Sequence, residues 1–248
     1  MLTTLPYVAA VAALKFFIDR VLHFEGIVEF SEMGVVLTAG VFLTGFMLAG
    51  TMGDYKESER LPGELACTLE AIEEVMVLAS AQKQAIAVGP LRAALKKVVE
   101  QIQAWLRKKG TFDAVYGELT ALHGVIQQVE RDGAGGYASR AVSELNNLRR
   151  TLTRINVISR TGFLPPAYAL LETLLGIILL LVLLAKFKTP LAMTILVPFI
   201  TLIYVYMLRL IKDIDDPFDY SPDGTKSGGA EVDLTPLDEY QKRLASRG

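Results

Sequence analysis

Formal charge disappears from two long stretches of the chain. Between Glu32 and Asp54 lie 21 residues without a charge, and residues 189–208 are 20 more. At about 1.5 Å per residue, a helix of this length spans about 30 Å, the thickness of a hydrocarbon core. Both stretches are predicted transmembrane helices. Pro198 lies inside the second and is a candidate kink point, because neighbouring groups in a membrane protein can re-satisfy the carbonyl it frees. Two further apolar stretches carry isolated charges: residues 164–187 hold Glu172 and Lys186, and residues 5–21 hold Lys15, Asp19 and Arg20. An ion at the bilayer centre costs about 2.5–3.5 kcal/mol on insertion scales. Asp19 and Arg20 can sit at an interface as a pair of charges, and Lys15 can snorkel if its helix tilts. Four spans are therefore counted. A signal peptide is the rival for the first, but no Lys or Arg before Lys15 supplies the basic leader of one.

The remaining sequence has the period of soluble helices. Val142, Leu145, Leu148, Leu152, Ile155 and Ile158 recur at intervals of three and four, the stripe of one long helix. Leu91, Leu95, Val98, Ile102 and Trp105 do the same in a helix opened by Pro90 and ended by Gly110. Residues 113–130 form another, and from Glu64 to about residue 82 the second span continues as a soluble extension. Loops are predicted at 88–90, 108–111 and the Gly-rich 132–136. No strand pattern competes, so the predicted class is all-α: four transmembrane helices with a cytosolic helical bundle. The chain divides into residues 1–53 (spans one and two), 54–160 (bundle), 161–211 (spans three and four) and 212–248 (an acidic cytosolic tail).

Composition narrows the chemistry. Hydrophobic residues make up 52% and charged residues 21%, and the net charge is -2. Nucleic acid as a partner would ask for a basic excess that is missing here. One cysteine, Cys67, excludes an intrachain disulfide and a cysteine zinc site, and two histidines, His23 and His123, argue against a histidine metal centre. The loop 22–33 has three Glu and no Lys or Arg and is read as outside, although Lys186 and Lys188 in the other outside loop weaken that asymmetry. This places both termini and the bundle in the cytosol of a multi-pass cell-membrane protein, with the lipid bilayer as its first partner. The Gly-rich 132–136 follows a helix and lacks the Lys-Ser/Thr of a phosphate loop, so it is read as a connector. Arg107, Lys108 and Lys109 complement a helix C-terminus. No GxSxG, HExxH or Cys–His pair is present. Glu172, a carboxylate inside an apolar span, is either a proton relay or a helix-end residue in a wet vestibule.

After the fourth span the chain reads IKDIDDPFDY (211–220) and later EVDLTPLDEY (231–240). A membrane helix ending in acid-x-acid-acid-Pro-Phe, followed by Asp-Leu-x-Pro-Leu, resembles the bestrophin family of anion channels and its bacterial relatives. FLPPAYA (163–169) is similar to the Pro-rich entry to that family's third span, and DYKESER (54–60) to the charges leaving its second. The order of two spans, a helical insert, two spans and an acidic tail agrees along nearly the whole chain.

The resemblance implies a homopentameric chloride-conducting channel, without a cofactor, whose central pore is lined by the second span. Aligning on Tyr55 places its narrow neck at Gly34, Thr38 and Phe42, with Phe46 one turn further on. The four-residue spacing puts Thr38, Phe42 and Phe46 on one face. Phe at that spacing equally suits lipid or a neighbouring helix. Asp213, Asp215, Asp216, Pro217, Phe218 and Asp219 take the place of the family's C-terminal clasp, with Asp216 before Pro217 a natural helix stop. Three departures stand out. The family's usual Phe-Arg near the end of the second span is Ala49-Gly50, the Gly after Pro-Phe is Asp219, and the dense acidic run of calcium-gated members is interrupted by Ser221 and Gly224. Asp219 and Asp223 could offer oxygens to Ca²⁺, which asks for six to eight. Calcium gating is accordingly not expected, and no other metal is. An anion channel is the leading expectation. A non-conducting membrane scaffold or sensor acting through the bundle is the alternative, and an enzyme is not expected.

Overall fold

A computed structural model describes residues 2–83, 85–162, 164–221 and 229–247. It contains nine α-helices among these residues: α1 (Leu5–Arg20), α2 (Gly34–Ser58), α3 (Leu61–Gln82), α4 (Gly89–Leu106), α5 (Phe112–Arg131), α6 (Gly135–Arg160), α7 (Pro165–Leu184), α8 (Pro190–Asp215) and α9 (Thr235–Arg247). The chain is an all-α membrane protein, and it separates into two compact units: residues 1–53 with 162–215, and 54–161 with 216–248.

The first unit holds α1, the first part of α2, α7 and α8. Its cores gather Met33, Ile178, Val182, Val197, Ile200 and Tyr204 in one cluster and Met47, Leu171 and Ile211 in another. Gly40 lets α2 come close to its neighbours. A Cβ there would lie 2.7 Å from the Ile178 side chain and 2.8 Å from the Tyr204 ring, and the Tyr204 hydroxyl donates to the Leu37 carbonyl at 2.5 Å. α8 runs through Pro198 without a break. Among the described residues, three helical runs, within 30–82, 135–184 and 190–215, are long and apolar enough to cross a membrane. α1 has 16 residues, about 24 Å at the α-helical rise.

Two short strands, β1 (Val28–Glu29) and β2 (Ala185–Lys186), pair in parallel. This corrects the expectation of a chain without strands. Two residues carry no period, so no pattern announces them. The approach is tight: at Gly26, with φ +79°, a Cβ would lie 2.8 Å from the Lys186 nitrogen.

The second unit packs α3 on α6 and α9, α4 on α5 and α9, and α5 on α6. Its core includes Leu69, Ile72, Leu95, Ile102, Leu119, Leu148 and Leu152, all fully buried. The apolar stripes read from the sequence face this core. Their boundaries differ in two places. α2 and α3 are separate helices with a turn at Glu59 and Arg60, because Pro62 has no N–H to continue the first helix and suits the first turn of a new one. α4 ends at Leu106, four residues before Gly110. Lys108 takes φ 56°, and the Lys109 amide bonds back to Ala104 O at 2.8 Å. In the Gly-rich connector, Gly133 (φ +84°) closes α5, with the Ala134 amide reaching Val129 O at 3.1 Å.

Residues 229–247 belong to this bundle. Phe218, Tyr220, Val232, Leu234, Leu237, Tyr240 and Leu244 all join its core. The Val232 amide donates to Pro217 O at 3.0 Å, the Tyr220 hydroxyl donates to Val232 O, and Asp233 accepts from the Thr235 amide at 3.0 Å at the start of α9.

Candidate functional site

α2 has two unlike faces. Gly40, Thr44, Met47 and Thr51 are packed, as is Met33 just before the helix, and the hydroxyls of Thr44 and Thr51 donate to the helix's own carbonyls, Gly40 O at 2.7 Å and Met47 O at 3.2 Å. The other face carries Gly34, Thr38, Phe42, Gly45, Phe46 and Ala49, all exposed, with Phe42 76% and Phe46 66% accessible. The Thr38 hydroxyl is turned inward to Gly34 O at 2.8 Å. What this face presents over some four turns is therefore methyl groups, backbone and two phenyl rings. In water it would be costly, since leaving a Phe exposed forgoes about 1.5–3 kcal/mol. It suits lipid, another protein surface or a narrow hydrophobic passage. Each four-residue step turns about 40° on a helix of 3.6 residues per turn, so Thr38, Phe42 and Phe46 fan over about 80°. They can line one straight axis only if α2 crosses that axis obliquely.

Lys15 does not snorkel. It is 1% exposed, and its Nζ donates to Asp19 Oδ1 at 2.8 Å, to Leu183 O at 3.0 Å and to Ala185 O at 2.7 Å, with the Phe187 ring 5.6 Å away. It closes the C-terminal end of α7, whose last carbonyls have no partner inside the helix, and a cation is favoured at that end. Asp19 is thus the partner of Lys15 rather than of Arg20. Arg20 lies over the Phe16 ring at 5.9 Å.

Glu172 is paired. Lys212 of α8 donates to it at 2.5 Å, both side chains being half exposed. The pairing was not read from the sequence, although a lone acid in one span and two bases, Arg209 and Lys212, at the end of the next are a signal for it.

The acids after α8 are divided. Asp213 and Asp215 end α8 in the first unit, where a Cβ on Gly162 would lie 2.6 Å from Asp215 Oδ2. Pro217 and Phe218 are buried in the second, and Asp219 is ion-paired with Lys108. That hydrogen bond raises the Lys108 ammonium above its ordinary value. Burial pushes the Tyr220 phenol up as well. Asp223 and Phe163 lie outside the described residues. Among the described residues no group of three or more His, Cys, Asp or Glu is arranged to hold a metal ion.

One further cluster escaped the sequence analysis. Arg154 of α6 grips the acids at the end of α2, donating to Glu57 at 2.8 and 2.5 Å and to Asp54 at 3.0 Å. Its hydrogen bond holds the Glu57 carboxyl below the ordinary carboxylate range.

The helix order, the apolar face of α2 and the bundle that takes in Phe218 are those of a membrane protein with solved structural relatives. Bacterial bestrophin homologues from Klebsiella pneumoniae superpose over nearly the whole length. One variant crystal structure gives TM-score 0.80 at 12% identity and covers 96% of each chain, and the structure phased on zinc gives 0.78 at 13% identity, covering 99% of this chain and 97% of that one. A structure described as a membrane protein gives 0.82 at 12% identity, covering 99% and 98%. The chain therefore has the bestrophin fold, and the resemblance drawn from its sequence is shown at the level of the fold. No protein-family model and no curated protein matches the chain.

Proposed function

We propose that this chain is an anion channel of bestrophin type, a homopentamer whose central pore is lined by the exposed face of α2 and whose permeant ion is chloride. The observation that carries this reading is the shared fold over 96–99% of the chain. The α2 face supports it: between Glu32 and Asp54 the helix has no charge, and Phe42 and Phe46 stand out from it, 76% and 66% exposed. Rings at a constriction gate by excluding water, and the electropositive ring edge favours an anion over a cation. Both termini and the bundle lie on the cytosolic side, and calcium is not required.

The test is chloride flux from liposomes holding the purified chain, with subunits counted by native mass spectrometry. Flux from a pentamer, with conductance or selectivity altered by Phe42→Ala, is the expected result. A verified pentamer without chloride flux would overturn the channel reading in favour of a scaffold or sensor acting through the bundle. Unchanged currents in Phe42→Ala would remove that ring from the neck.

A further inference from the structure

A cavity of about 500 Å³ opens in the first unit where the end of α1 meets the start of α8. Its wall mixes two chemistries. Phe24, Phe187 and Met193 give it an apolar lining, and Arg20, His23 and Lys186 bring polar and cationic groups to it. The charges there are unevenly matched. Asp19 is already neutralised by the buried Lys15. Glu25 holds Lys186 at 3.3 Å, but it is 85% exposed, and such surface pairs contribute little. Arg20 has no carboxylate partner within ion-pair distance among the described residues and lies over the Phe16 ring at 5.9 Å. One cation is left over beside an apolar hollow.

The helices that form the cavity continue away from it as apolar tracks. Phe16 lies one turn before Arg20 on α1, and Leu191 and Ile195 lie one turn apart on α8. These three side chains are 55%, 69% and 57% exposed. A free anion would be served by the cations alone. A molecule with an anionic head and hydrocarbon chains would use the cations, the apolar lining and both tracks together. We propose that this cavity is a binding site for an anionic phospholipid, its phosphate held by Arg20 and Lys186 and its acyl chains laid against Phe16 and the Leu191–Ile195 face. Basic pockets between membrane helices are suited to phosphate head groups, at about a factor of five per cation near the surface. The site does not depend on whether the chain conducts.

Native mass spectrometry of the detergent-purified full chain tests it, with phosphatidylglycerol and phosphatidylcholine of identical acyl chains as probes. Selective retention of phosphatidylglycerol is expected. Arg20→Gln with Lys186→Gln should weaken that retention about 30-fold, and Arg20→Lys should largely preserve it. Both substituted side chains are exposed, and an unchanged elution volume confirms that the variants fold. The comparison of the two lipids on the unsubstituted chain needs no variant. Equal retention of both lipids, or phosphatidylglycerol held undiminished by the double variant, overturns the proposal. So does inorganic phosphate at millimolar concentration stripping the lipid, since the site would then be one for a free anion.

Discussion

At the scale of single residues, Lys15 is the most informative side chain in the molecule. A lysine inside an apolar stretch reads as an expense to be escaped by snorkelling. The structure resolves it instead by full satisfaction, because Asp19 one turn on and two carbonyls at the end of α7 accept all three of its protons. The gain is local order, since a single buried cation ties α1 to the α7–β2 turn. Lys15→Met removes the cation but leaves Asp19 and the two carbonyls in place. Breaking one side of a buried pair costs about 3–5 kcal/mol, and the partial exposure of Asp19, 25%, puts this case at the lower end, about 3 kcal/mol. A melting temperature in detergent clearly below that of the parent is expected, and Lys15→Met combined with Asp19→Asn should recover part of the loss. Equal melting of Lys15→Met and the parent would show that the three contacts contribute nothing net.

At the scale of elements, the segment after α8 behaves as a clasp within its own unit. Pro217 and Phe218 enter the bundle core, the chain returns at Val232, and α9 docks on α3 through Leu237, Tyr240 and Leu244. Arg243 and Arg247 then pair with Glu70 and Glu73. Phe218→Ala, which empties a site only 4% exposed, should cost about 3–5 kcal/mol in denaturant unfolding of the bundle. A cost under about 1 kcal/mol would mean that the ring is dispensable. The Arg154 fork offers a pH-dependent counterpart. Its hydrogen bond depresses the Glu57 carboxyl, so the stabilisation is present above the unfolded value of about 4.3 and is lost as the pH falls through the lower folded value. Exposed pairs of this kind are worth about 0.2–1 kcal/mol, so Glu57→Gln should lower stability slightly at pH 7 and flatten the acid limb below pH 4. A parallel displacement of the whole curve would contradict this.

These elements also show what the sequence could and could not announce. Helices with several turns of apolar repeat, such as α4 and α6, were legible because the 3.6 period needs only a dozen residues to declare itself. Pro62 was a legible start signal that the reading passed over in favour of continuity. The β1–β2 pair and the Lys15 site were not legible, since each depends on residues more than 150 positions apart meeting at loop ends. Phe218 was recognised as part of a motif, but its burial was not, because no periodicity surrounds it. For the candidate site, the sequence supplied the charge-free span and the spacing of Thr38, Phe42 and Phe46. Their shared exposure needed the packed face opposite, centred on Gly40 and Met47, to be located first.

At the scale of the whole molecule, the decisive issue is which solvent each apolar surface meets. The α2 face with Phe42 and Phe46 and the outward faces of α7 and α8, with Leu180 and Phe199, are exposed to similar degrees in the monomer: 76%, 66%, 56% and 56%. Composition cannot separate them, since all are apolar. A channel gives them different fates, with the first wet and the others in lipid. Cysteine accessibility distinguishes the two, starting from Cys67→Ser, because Cys67 is the one cysteine and is exposed. Single cysteines at Thr38, Phe42 and Phe46 should react with a hydrophilic, charged thiol reagent in liposomes, and cysteines at Leu180 and Phe199 should not. Because the three α2 positions fan over about 80°, an oblique helix predicts graded rates along α2, fastest where the face turns most directly to the passage. Uniform protection of all five positions in liposomes that do conduct chloride would place α2 against lipid or protein and move the wet surface off this helix. Reaction at Leu180 and Phe199 at the same rate as at Phe42 would mean that exposure in the monomer, rather than a water-filled axis, governs access.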